Sequence, residues 1–208
     1  MIKAVIFDVD GVLIDSFEGN FKFFNDLFTK FGHTPPTREE YREHFGSNMK
    51  DIIKTFSKLE SEEEIEKIWQ AGKERHVPYP THLVKTPDGL EETLEVLSKE
   101  FVLGITTSRL GAHVYKMPQL TPLEKYFKIL VSYEDTENHK PHPEPLFLVA
   151  SRLNLLPEEI VYVGDMRTDA IAAKAAGMKA VSFGSGVIEE ADASINSFLE
   201  LIDLVKKF

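Results

Sequence analysis

The sequence predicts an α/β protein: a doubly wound parallel sheet with an all-helical segment inserted after the first strand. Three observations carry this. From residue 87 onward, short apolar runs rich in β-branched residues alternate with helix-length amphipathic segments, the pattern of successive βαβ units. One further apolar run, residues 2–8 (IKAVIFD), stands alone at the start of the chain. Between the two lies a stretch, residues 17–80, with aromatic side chains at helical spacing.

Taken in order, residues 2–8 read as a buried parallel strand that ends in the turn Asp8-Val9-Asp10-Gly11. Phe17, Phe21, Phe24, Leu27, Phe28 and Phe31 then mark a helix closed by Gly32. Two or three more amphipathic helices follow, through Tyr41, Ile52, Ile53, Phe56, Ile65, Ile68 and Trp69. The polar turn Gly46-Ser47-Asn48-Met49-Lys50 suits a lid loop, with Asn48, Lys50 and Lys54 as substrate contacts. After Val77-Pro78-Tyr79-Pro80 the alternation begins: helix 88–99, strand 101–107, a helical stretch to Val114, strand 127–132, helix 143–153, strand 160–164, helix 168–176 and strand 179–183. Residues 194–207 close the chain as a helix. The expected division is a Rossmann-like core of residues 1–16 and 81–208 and a helical cap of residues 17–80.

Composition narrows the function. The chain has 208 residues, with 24 Lys and Arg against 34 Asp and Glu, a formal net charge of -10. A nucleic-acid partner is not expected, because the basic footprint it requires is missing. No apolar run nears the roughly 20 residues of a membrane helix, so no membrane partner is expected either. The chain opens on a strand-like run rather than a signal peptide, so a cytoplasmic location is expected. The absence of cysteine excludes disulfides, thiolate metal sites and cysteine nucleophiles.

Ligands of open parallel sheets bind beyond the carboxyl ends of the strands. Those ends carry Asp8 and Asp10 on the first strand and Thr107, Ser108 and Arg109 on the second. Lys140, in Lys140-Pro141-His142-Pro143-Glu144-Pro145, follows the third, and Asp165 and Asp169 follow the fourth. In this order the four groups resemble the four motifs of the haloacid dehalogenase-like hydrolase superfamily. Asp8-Val9-Asp10-Gly11-Val12-Leu13 is similar to the first and Thr107-Ser108 to the second. Lys140 resembles the third, and Gly164-Asp165-Met166-Arg167-Thr168-Asp169 the fourth. The resemblance covers about residues 1–16 and 85–185, and the insert suits the helical cap of the phosphoglycolate phosphatase-like branch.

The resemblance implies a Mg²⁺-dependent phosphatase acting on a small phosphorylated metabolite, as a monomer or small homo-oligomer. Asp8 would be the nucleophile and Asp10 the general acid and base. Thr107, Ser108 and Lys140 would bind the phosphoryl group. Asp8, Asp10 (through its carbonyl), Asp165 and Asp169 would surround the metal. The chemistry needs these types, because a carboxylate approaches a phosphate dianion only with cations between them.

Other readings compete. Asp8 and Asp10 also suit a plain turn, and Asp165 and Asp169 also suit the cap and first turn of a helix. Arg109 reads as readily as a surface arginine as a substrate contact, and His139 and His142 as solvent-facing loop residues. A sugar phosphomutase would use the same core. A dehalogenase of this type would lack the second acid, Asp10. A receiver-type signalling domain would place its acceptor aspartate on a later strand without a helical insert. A non-catalytic phosphate-binding module would not need the full set of acids.

Overall fold

The computed structural model describes residues 1–184 and 186–208. The chain divides into two compact units, Met1–Asp15 with Thr86–Phe208, and Ser16–Lys85.

The first unit begins with β1 (Ala4–Phe7), buried at all four positions. The second unit holds four helices: α1 (Phe17–Lys30), α2 (Arg38–Glu43), α3 (Met49–Ser57) and α4 (Glu62–Lys73). Each of the last three starts where the sequence supplies a side-chain acceptor for an exposed backbone N–H. Thr37 and Glu40 form a capping box at α2, Asn48 caps α3 and Ser61 caps α4. Their apolar stripes meet in one core built from Phe24, Leu27, Phe28, Tyr41, Ile52 and Ile65. The three residues expected to contact substrate each make a contact within this unit. Asn48 accepts from the backbone N–H of Asp51 at 3.0 Å, Lys50 pairs with Glu66 and Lys54 with Glu62.

The first unit then alternates: α5 (Leu90–Leu97), β2 (Val102–Thr106), the short α6 (Gly111–Val114), β3 (Phe127–Val131), α7 (Glu144–Leu153), β4 (Ile160–Gly164), α8 (Arg167–Ala176) and β5 (Lys179–Phe183). The end differs from expectation. Residues 193–195 form a sixth strand, β6 (Ala193–Ile195), before α9 (Phe198–Val205). Ser182 and Ser194 hydrogen-bond across this edge pair, side chain to side chain at 2.6 Å. Three residues of mixed polarity carry too little periodicity to read as a strand.

All pairings are parallel, in the order β3-β2-β1-β4-β5-β6. Consecutive strand residues face opposite sides. Ile6 therefore joins a core with Leu146, Val149, Ala172 and Ala173 of α7 and α8, while Phe7 stacks on Phe198 of α9 across the other face, 6.4 Å between ring centroids. Covered on both sides, β1 is the central strand, and its carboxyl end sits where the strand order changes direction. Among the described residues no helix is long and apolar enough to cross a membrane.

Leu146 is fully buried in the α7–α8 core. Leu146→Ala is expected to cost about 2–5 kcal/mol through lost burial and the cavity left behind. Urea unfolding of both proteins measures it, and a difference below about 1 kcal/mol contradicts this account of the core.

Candidate active site

Asp8 follows the last residue of β1 and is held in the sheet, its backbone N–H donating to Val163 of β4 at 2.9 Å. The next residues turn back sharply. Gly11 has φ +77°, and a Cβ there would lie 2.0 Å from Oδ2 of Asp165, so only glycine lets this turn pack against the end of β4. Gly164 plays the same part from the other side. A Cβ there would lie 2.3 Å from the Cβ of Asp169. Gly11 thus lets the turn after β1 pack against Asp165, Gly164 lets the first turn of α8 pack on the end of β4, and one carboxylate oxygen from each of Asp8, Asp165 and Asp169 lies within 4.8 Å of the others.

Lys140 enters this acidic cluster from the loop before α7. Its Nζ donates to Asp169 Oδ1 at 2.6 Å and to the Tyr162 hydroxyl at 2.9 Å, and lies 3.1 Å from Asp8 Oδ2. The lysine side chain is only 6% exposed. Tyr162, on β4, also donates to Asp169 Oδ1 at 3.2 Å. Sequence reasoning missed Tyr162, since one tyrosine inside an apolar strand reads as core. A usable signal is that a buried phenol needs a polar partner.

Asp169 combines two readings. Its Oδ2 accepts from the backbone N–H of Met166 at 3.0 Å and caps α8, while Oδ1 faces Lys140. Asp165 does not cap the helix. Its Oδ1 is buried with no hydrogen-bond partner. Asp10 is 9% exposed, and Arg109 grips its carboxylate with two hydrogen bonds. Arg109 is therefore not a surface residue. Thr107 is buried at the end of β2, its Oγ1 accepting from the backbone N–H of Arg109 at 3.2 Å. Ser108 lies half-buried between them. His139 is half-buried and stacks on Tyr133, with centroids 4.3 Å apart, and His142 is exposed.

The electrostatics follow from burial. Desolvation raises the Asp8 carboxyl to about 7; Lys140 pulls it down, but Asp169 and Asp10 push it up again. Burial, then Asp169 and Asp8, hold the Asp165 carboxyl well above the usual carboxylate range. For Lys140, burial disfavours the ammonium, yet Asp169 and Asp8 outweigh it and keep it charged well beyond an ordinary lysine. Burial and Asp169 likewise keep the Tyr162 phenol protonated. The donor set fits a hard divalent cation: all oxygen, an orphaned buried oxygen on Asp165, and three acidic groups converging in a buried place.

The family model for haloacid dehalogenase-like hydrolases matches residues 5–183. The chain is 34% identical over 179 residues to a pyrophosphatase PpaX of Bacillus pumilus, covering 86% of this chain and 81% of that protein. It is 39% identical over 107 residues to a phosphoglycolate phosphatase of Salmonella choleraesuis, covering 48% and 42% respectively. The crystal structure of CbbY from Rhodobacter sphaeroides in complex with phosphate superposes with a TM-score of 0.85 at 25% identity, covering 97% of this chain and 96% of that one.

The raised Asp8 carboxyl gives a signed pH effect. The folded state holds a proton on Asp8 up to about pH 7, whereas an unfolded aspartate loses it near 3.9. Between those values the unfolded state binds fewer protons, so this group lowers stability as pH rises. Without divalent metal, Asp8→Asn should gain stability relative to the parent from pH 5 to pH 7, on the order of 2 kcal/mol. Urea midpoints in EDTA read this, and a difference that is flat or shrinks with pH contradicts it.

Proposed function

We propose, from the premise that the chain belongs to the haloacid dehalogenase-like hydrolases, that it hydrolyses a small phosphorylated metabolite through an aspartyl-phosphate on Asp8. One observation carries this reading: the buried meeting of Asp8, Lys140, Asp165 and Asp169 at the carboxyl ends of β1 and β4. A site with one nucleophilic carboxylate, one enclosed ammonium and two further acids suits phosphoryl transfer. The relatives named pyrophosphatase and phosphoglycolate phosphatase support the substrate class.

In the first step an Asp8 oxygen attacks phosphorus, and the bond from phosphorus to the leaving oxygen breaks. The leaving oxygen takes a proton from Asp10, which, gripped on both oxygens by Arg109 in this structure, first takes that proton up from water. In the second step water attacks the same phosphorus and gives a proton back to Asp10. The Asp8–phosphorus bond breaks, releasing inorganic phosphate and the free carboxylate. Lys140 stays beside Asp8 throughout and offsets charge gathering on the phosphoryl oxygens. Thr107 and the backbone at Ser108 donate hydrogen bonds to those oxygens; a hydroxyl that accepts, as Thr107 does, still has a hydrogen to give. Asp8, Asp165 and the Asp10 carbonyl would hold Mg²⁺, with Asp169 beside them, and the bound ion supplies the positive charge that lets an anionic carboxylate meet an anionic phosphate.

Asp8→Asn, which is nearly isosteric, should fold normally and show no hydrolysis of nitrophenyl phosphate above background. Clear turnover by a preparation free of other phosphatases would exclude Asp8 as nucleophile. The two later acids should separate as well. Asp165→Ala should raise the Mg²⁺ concentration needed for half-maximal rate far more than Asp169→Ala does, because Asp169 is engaged by Lys140, Tyr162 and Met166 while an Asp165 oxygen has no partner. Asp169→Ala should instead lower kcat by unseating Lys140. A Mg²⁺ titration of both variants with the reverse order refutes this assignment.

A further inference from the structure

Arg109 has a place that the proposed phosphatase chemistry leaves unused. Its side chain is 11% exposed. Nε donates to Asp10 Oδ2 at 2.6 Å and Nη2 to Asp10 Oδ1 at 2.5 Å, while Nη1 lies 3.2 Å from Met117 Sδ. The backbone that carries it is fixed from both sides. Its N–H donates to Thr107 Oγ1, and its carbonyl accepts from Tyr133 N–H at 3.0 Å.

A planar fork that grips both oxygens fixes the rotation of a carboxylate. The carboxylate so fixed is the one that must turn an oxygen toward the leaving group. Releasing it costs two charge-assisted hydrogen bonds, and a neutral leaving group offers Arg109 nothing in return. An anionic group with the same fork-matching geometry does. The other cation of the site cannot take this part, since Lys140 is enclosed by Asp8, Asp169 and Tyr162. Lysine also lacks the planar fork that selects carboxylates and phosphates.

We propose that Arg109 is the specificity residue on the leaving-group side: it binds a second anion, carboxylate or phosphate, borne by the substrate's leaving group, and in exchange releases Asp10. The inference rests on the phosphatase reading and deepens it. The preferred substrates are small phosphoesters or anhydrides whose leaving group is itself anionic, and the exchange ties the freeing of Asp10 to the arrival of such a substrate.

The test compares ethyl phosphate, whose leaving group is neutral, with phosphoglycolate, which adds a carboxylate, and inorganic pyrophosphate, which adds a phosphate. For each, kcat/KM is measured with Mg²⁺ in the parent, Arg109→Met and Arg109→Lys. Calorimetric Kd values for the two esters are taken in the Asp8→Asn background, where no phosphoryl transfer occurs. The parent is expected to prefer one of the anionic substrates over ethyl phosphate by about tenfold or more, the scale of a hydrogen bond to a charged group. Which one it prefers tells carboxylate from phosphate. Arg109→Met should lower that preference about tenfold, through KM more than kcat. Where phosphoglycolate is the preferred substrate, its Kd should weaken alongside while that of ethyl phosphate moves less. Arg109→Lys, which keeps the charge and loses the fork, should fall between, and it carries the test should the Met variant not fold. A parent without preference, or a preference unmoved in the folded variants, overturns the inference and leaves the phosphatase reading standing. No hydrolysis of any of these substrates or of nitrophenyl phosphate overturns both.

Discussion

The ammonium of Lys140 is the charge on which the strand-end cluster depends. Asp8, Asp165 and Asp169 converge in surroundings that raise two of their carboxyls. Left alone, such a cluster would take up protons or push its strands apart. Lys140 has three N–H groups, and three oxygens lie within 3.1 Å of it, on Asp169, Tyr162 and Asp8. Neither burial nor attraction decides the outcome alone. Burial disfavours the cation, two carboxylates restore it, and the net result is a lysine held charged among its three oxygen neighbours. Buried pairs of this kind contribute little net stability but are costly to break, because the partner left behind is an uncompensated charge. The arrangement therefore specifies geometry more than it stabilises the fold.

The site is joined to the fold through backbone rather than side chains. Gly11 and Gly164 occupy the places where a methyl group would collide with Asp165 and Asp169. Parallel pairing of β1 with β4 sets the register, Phe7 against Val163, so that Asp8 and the end of β4 are neighbours before any side chain is chosen. The charges are thus delivered by strand register and by two missing Cβ atoms, and Lys140 then reconciles them.

Much of this was legible from residue order. Apolar β-branched runs ending in Asp8, Thr107 and Gly164 announce both the strands and their functional ends, because in a parallel sheet the two coincide. The pairing of Arg109 with Asp10 was not legible. The residues stand far apart in sequence, and nothing local distinguishes a buried arginine from an exposed one. Tyr162 was hidden for the opposite reason, since its ring satisfies the apolar pattern and only its hydroxyl belongs to the site. Asn48, Lys50 and Lys54 make a capping bond and two ion pairs that residue order does not announce, because their partners are set by how the helices pack. β6 went unseen because an edge strand of three residues owes its existence to the pairing surface of β5.

The helical insert also shapes how the chain comes together. The partners of β1 lie far along the chain: Ala4 pairs with Val102 on one side and Ile160 on the other. The helices of Ser16–Lys85 draw on contacts close in sequence and have a core of their own. Contacts local in sequence form faster than distant ones, since less chain entropy is lost in closing them. On an emerging chain the insert can therefore complete itself while Ala4–Phe7, the most apolar strand end to end, still waits for its neighbours. The central strand of the finished sheet is thus the element whose pairing closes the longest loops, and on the β2 side the length of the insert sets that cost.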